Sequence, residues 1–335
     1  MTITRTLMGA AATLALSAGL AAAQDSEPGL IIDLGGKFDK SFNESAYVGA
    51  QRWVEDTGGE YAEIELANEA QREQTMRRMA ERGANPVVVL GFANASTLEA
   101  VAPDYPETDF VIVDMVVEQP NVKSVVFSEH EGSYLVGMMA GMASETGTVS
   151  FIGGMDVPLI SKFACGYAQG VKAVNPDANV IVNMTGTTPA AWNDPVKGAE
   201  LTRSQISQGS DVVFAAAGGT GIGVLQAAAD EGILSIGVDS NQNHLHPGSV
   251  LTSMVKRVDN AVYDAFTASA AGELETGITV MGLENEGVAY AMDENNADLI
   301  TEEMIAVVEE ASDAIVAGEI QVHDYLSDNS CPVDL

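Results

Sequence analysis

Residues 31–54 read IIDLGGKFDKSFNESAYVGAQRWV. An apolar run ends at Asp33, two glycines follow, and a polar loop leads to Phe42 and Asn43 at the mouth of a helix. Ser41 with Glu44 three residues on has the pattern of a capping box, in which each side chain serves the other's free backbone N–H. Ala46, Gly49, Ala50, Trp53 and Val54 then give that helix one apolar face. Strand, polar loop and helix is the unit with which open α/β sheets bind ligands beyond the carboxyl ends of their strands. An acid, an aromatic and an amide offered together suit a ligand with hydroxyls and a flat ring.

The same alternation continues along the chain. Strand-like runs fall at 29–33, 61–66, 86–90, 110–114, 122–127, 148–152, 179–183, 211–217 and 233–238. Helical patterns lie between them, at 43–56, 69–82, 95–102, 132–144, 162–174, 195–208 and 221–231. Several strands are unbroken Val/Ile/Leu runs, as in parallel sheets covered on both faces. Repeated βα units predict an α/β fold with doubly wound parallel sheets. One series ends and another begins near 128–132. After Gly248 come a segment at 249–254, a helix at 257–271, extended pieces at 278–283 and 288–292, and a helix at 297–317.

The first residues have the form of a cleavable signal peptide, 1–23. Arg5 is the positive head, 7–20 is apolar, and Ala21-Ala22-Ala23 precedes Gln24 as a small-residue cleavage site. That apolar run is short for a membrane span. The absence of a cysteine beside the cleavage site predicts a periplasmic chain without a lipid anchor. The formal charge of −33 disfavours nucleic acid and anionic lipid as partners. Such acidity reads as solubility. The two cysteines, Cys165 and Cys331, suit a disulfide in an exported chain, one that pins a polar tail; the alternative is two free thiols.

Polar residues recur at strand ends. Asp33, Gly91 and Asp114 do so in the first half, and Gly153, Gly218 and Asp239 in the second. A lone Asp after a strand is usually a cap, but several in equivalent places converge if both sheets aim their carboxyl ends at one cleft. Asp239 can accept two hydrogen bonds from a vicinal diol. Phe42 and Phe163 are candidates for stacking on a base, with core packing as the alternative. Asp114 and Asn43 are suited to read a base edge, and Gly219 and Thr220 to hold remaining polar atoms. Trp192 reads equally as a cleft aromatic and as a surface anchor. His244 and His246 are weak evidence for metal, and none is expected. The glycines at 218–223 invite a dinucleotide reading, but after Gly219-x-Gly221 the third required position is Val224. No cofactor and no hydrolase elbow follow from the sequence.

Asp33-x-Gly35-Gly36 followed by Asp39-Lys40-Ser41-Phe42-Asn43 resembles the basic membrane protein family of bacterial solute-binding proteins. The resemblance recurs in Gly153-Gly154-Met155 with Pro158-Leu159-Ile160 and Phe163, and in Ala216-Ala217-Gly218-Gly219-Thr220-Gly221. It recurs again in Gly237-Val238-Asp239-Ser240 and in Leu251-Thr252-Ser253-Met254-Val255-Lys256-Arg257. It implies a type I periplasmic binding protein whose chain crosses three times between two lobes, 24–129 plus 251–281 and 130–250 plus 282–335. It also implies a monomeric receptor for a purine nucleoside that serves an ABC transporter permease and is not an enzyme. Phe42 and Phe163 would sandwich the base, Asp239 and Lys256 would reach the ribose, and Asp33, Asn43, Asp114 and Gly219 would complete the site. A free purine base, a sensor subunit and an exported hydrolase are the competing readings.

Overall fold

Two six-stranded sheets organise the chain in the computed structural model, which describes residues 27–335. The expected signal peptide lies outside those residues. The first lobe runs β1 (Gly29–Ile32), α1 (Phe42–Thr57), β2 (Ala62–Glu65), α2 (Arg72–Glu81), β3 (Val87–Leu90), α3 (Ala95–Val101), β4 (Phe110–Val113) and β5 (Val122–Phe127). The second begins with α4 (Glu129–Ala143), β6 (Thr148–Met155), α5 (Pro158–Val174) and β7 (Asn179–Gly186). It continues with α6 (Pro195–Ile206), β8 (Val212–Ala216), α7 (Thr220–Glu231), β9 (Leu234–Asp239) and β10 (Val250–Lys256). α8 (Val258–Ala270) and β11 (Gly277–Met281) return to the first lobe, while β12 (Val288–Tyr290) and α9 (Glu302–Val316) belong with the second.

The strand orders are β11-β5-β4-β3-β1-β2 and β12-β10-β9-β8-β6-β7. Every pairing is parallel except that of β10 with β12. The central strands β1, β3 and β4 are apolar throughout and buried at every residue. Helices on both faces demand that pattern.

One boundary is corrected. Residues 251–256 do not join the first lobe: β10 lies between β9 and β12, with Ser253 and Met254 opposite Gly237 and Val238. The crossing falls after Lys256, and α8 is the first returning element, packed on α1. Crossings therefore lie at Phe127–Glu129, at Lys256–Val258 and between Met281 and Val288.

In the second lobe α4 and α5 approach unusually closely. A Cβ on Gly137 would sit 2.2 Å from the Tyr167 carbonyl oxygen, and one on Gly170 would sit 1.9 Å from that of Tyr134. Only glycine permits this contact.

A disulfide joins Cys165 on α5 to Cys331 in the C-terminal tail, 166 residues apart. Gln169 adds two hydrogen bonds to the tail, donating to the His323 carbonyl (3.0 Å) and accepting from the His323 amide (2.9 Å). Thiol labelling of the denatured, unreduced protein should find no free cysteine, and two labelled thiols would remove the bridge. Replacing both cysteines with alanine should cost about 2–5 kcal/mol in urea unfolding.

Candidate ligand-binding site

The loop after β1 turns on Gly35 and Gly36, whose φ of 117° and 96° lie in the region open to glycine. It delivers Asp39 to the start of α1. There Asp39 accepts from the backbone N–H groups of Ser41 (2.8 Å), Glu44 (3.1 Å) and Asn43 (3.1 Å). Asp39, not the expected Ser41–Glu44 box, therefore caps this helix. Ser41 makes no side-chain cap. Its hydroxyl instead donates across the lobes to Asp239 Oδ2. Two more bonds close the same seam: Ser240 Oγ donates to the Ser41 carbonyl (3.2 Å), and Gln242 Nε2 to that of Lys40 (2.8 Å).

Inside this seam lies a cavity of about 640 Å³, its open mouth included. The structure brings Asp33, Phe42, Asn43, Asp114, Phe163, Asp239 and Lys256 to its walls. Gly219 is not among the lining residues; Gly218 is. Gly219 faces the Trp192 carbonyl, 3.3 Å from where its Cβ would be, and Asp39 across the seam, 3.7 Å away.

The polar groups have divided duties. Asn43 spends its amide hydrogens on the carbonyls of Asp33 (3.2 Å) and Gly36 (3.1 Å), which fixes the loop. Its Oδ1 is buried without a hydrogen-bond partner among the described residues, so toward a ligand Asn43 is an acceptor only. Asp33 Oδ1 is held by Arg72 Nη1 at 2.7 Å. Burial nonetheless pushes the Asp33 carboxyl above its usual range. Gly91 gives Asp33 room, since a Cβ there would lie 2.5 Å from Oδ2.

Asp114 and Asp239 both take left-handed backbone, with φ of 75° and 63°. Such non-glycine conformations are costly and collect at binding sites. Asp114 Oδ1 contacts Lys256 Nζ at 2.6 Å. Burial pushes Asp114 up to about 6, against the pull of that ammonium. Burial likewise pushes Asp239 up to about 6, opposed by Lys256 and by the Ser41 hydroxyl. Lys256 is no surface cation: its side chain is 2% exposed. Its Nζ lies 5.3 Å from the Phe42 ring centroid and 5.6 Å from that of Phe163.

Phe92 and Trp192 add aromatic wall. Trp192 takes the cleft alternative: its ring lies on Gly154, where a Cβ would come within 2.1 Å of it. Thr220 and Thr185 hold this segment by donating to the Ala191 carbonyl at 2.8 and 3.0 Å. Sequence reasoning missed Arg72, Asp39 and Phe92. Only Asp39 left a local signal, an Asp two residues before a Ser at a helix start.

Comparison with known proteins agrees with this architecture. The family model for PnrA-like ABC transporter substrate-binding proteins matches residues 29–325. The CD4+ T-cell-stimulating antigen of Listeria monocytogenes is 33% identical over 324 residues, covering 89% of this chain and 88% of that protein. The ABC transporter nucleoside-binding protein BmpA of Lactococcus lactis is 33% identical over 325 residues, covering 89% of each. A crystal structure of an ABC transporter solute-binding protein from Aeropyrum pernix superposes with a TM-score of 0.81 at 27% identity, covering 89% of this chain and 93% of that one. With a type I periplasmic-binding-protein fold and a cavity between its lobes, this chain belongs to the Bmp family of PnrA-like ABC transporter substrate-binding proteins.

Proposed function

We propose that this chain is an exported receptor that closes on a purine nucleoside and presents it to the permease of an ABC importer. The observation that carries the reading is the pairing of aromatic wall with buried acceptors in one interlobe cavity. Phe42, Phe163 and Trp192 suit the two faces of a base, for which stacking is worth ~1–3 kcal/mol per base. Asp239 suits the ribose diol, with Lys256 beside it as donor. Asn43 Oδ1, left without a partner at a cost of about 1–3 kcal/mol, suits an N–H of the base. Contacts from both lobes favour the closed form, so ligand binding and hinge closure are one equilibrium. The family resemblance and the nucleoside-binding name of the Lactococcus relative point the same way.

Calorimetric titration of refolded protein with guanosine, adenosine, inosine, cytidine, adenine and guanine tests it. Submicromolar binding of purine nucleosides, with bases far weaker, is expected. Tight binding of a free base alone, or of none of the six, would overturn the ligand assignment.

A further inference from the structure

Glu129 does not line the cavity, yet its side chain is only 1% exposed at the first turn of α4. Its two oxygens face different ammonium groups. Oε1 lies 2.9 Å from Lys256 Nζ, and Oε2 lies 3.0 Å from Lys162 Nζ. Lys162 is fixed in turn: it donates to the Phe127 carbonyl at 2.6 Å and lies 3.5 Å from Asp324. Neutralising Lys256 does not require this arrangement, because Asp114 already contacts it at 2.6 Å. What Glu129 adds is a second anchor that keeps the ammonium from turning wholly to Asp114. The arrangement also spans two interlobe crossings, since Glu129 opens the second lobe after β5 and Lys256 ends β10.

We propose that Glu129 is a positioning residue, holding the Lys256 ammonium charged and in place for the ligand's sugar while Lys162 holds Glu129. The role of the sugar rests on the nucleoside reading above; the charge geometry does not.

The groups facing Lys256 are Asp114 beyond β4, Glu129 on α4 and Asp239 on β9, with the rings of Phe42, Phe127 and Phe163 around them. Around Lys162 and Glu129 stand His130 and the tail's Asp324 and His323. Burial pushes Lys256 down, but the three carboxylates outweigh it and hold it above the ordinary lysine range. Burial pushes Glu129 up, and the two lysines more than reverse that.

The test is Glu129→Gln, which keeps the shape and removes the charge. Two quantities are read: the Lys256 ¹³Cε shift against pH by NMR, and the affinity for adenosine, which has no group of its own that titrates there, between about pH 7 and pH 10. Wild type should show no Lys256 titration and a flat affinity over that window. In E129Q the lysine loses an adjacent anion, so its pKa falls. Adenosine affinity should then drop about 10–100-fold, the size seen when outer-shell partners of metal sites are lost. Glu129→Asp keeps the charge but cannot span both lysines, so it should keep the flat profile at reduced affinity. Unchanged lysine titration and affinity in E129Q would overturn the proposal. So would wild-type affinity in E129D, the arm that decides if E129Q does not fold. If wild type binds no nucleoside, the ligand reading fails, and the Lys256 titration still decides whether Glu129 holds the lysine charged.

Discussion

Asp239→Asn should abolish tight nucleoside binding while making the ligand-free protein more stable. The carboxylate offers acceptors on both oxygens; the amide offers one oxygen and turns a donor toward hydroxyls that also need to donate. The amide oxygen can still receive the Ser41 hydroxyl, so the interlobe seam survives. Hydrogen bonds to charged groups contribute about 1.5–3 kcal/mol each. Losing two should cost roughly 10²–10⁴-fold in Kd, read by calorimetry. The stability gain follows from burial. The folded carboxyl is pushed up to about 6, against about 3.9 in the unfolded chain. Above pH 6 the native state carries this charge at a cost of about 3 kcal/mol. That cost shrinks as pH falls through the interval and is gone below the unfolded value. Urea unfolding should therefore favour D239N at pH 7 and show no difference near pH 3.5. Retained affinity would remove the diol argument, and a variant less stable at pH 7 would show that the carboxylate is net stabilising.

Lys256→Met should cause the largest loss of stability together with loss of binding. The ammonium contacts Asp114 at 2.6 Å and Glu129 at 2.9 Å, both buried. Methionine leaves two carboxylates facing each other in a dry interior. Breaking a buried pair from one side costs about 3–5 kcal/mol. Without the cation the Asp114 carboxyl, already pushed up by burial, rises further, while Glu129 keeps Lys162 at 3.0 Å. The penalty is thus largest above the raised Asp114 pKa and fades as pH falls and Asp114 takes up its proton. The gap between wild type and K256M in urea should narrow from pH 7 toward about pH 4. Adding Asp114→Asn to K256M should recover part of the stability but none of the binding, a coupling that a double-mutant cycle measures. A gap independent of pH would mean that lost packing, not stranded charge, is the cause.

Both variants act through contacts that the sequence shows only in part. Strand and helix periods are local properties, so the βα succession was legible, with 122–127 matching β5 to the residue. Other ends shifted: β6 and β7 run three residues beyond their apolar cores, to Met155 and Gly186. β10 was misplaced because its lobe is decided by hydrogen bonds to β9, across a loop from 240 to 249. Asp33, Asp114 and Asp239 could be nominated because each closes a strand. Their occupations could not, since the partners are distant: Arg72 is 39 residues from Asp33, and Ser41 is 198 from Asp239. The capping box failed for a related reason. The Ser41 hydroxyl could have accepted from the helix-end N–H groups or donated to the buried carboxylate of the other lobe; it does the second, and Asp39 serves the helix end.

The contact between α4 and α5, too close for even a methyl group at Gly137 or Gly170, has a mechanical consequence. Interiors packed this tightly transmit displacement instead of absorbing it. The two helices form a single rigid beam. One end carries the Leu159–Phe163 wall of the cavity, and further along the same helix the disulfide fastens the tail. A displacement of the wall should therefore move α4, α5 and the fastened tail as one body instead of bending either helix.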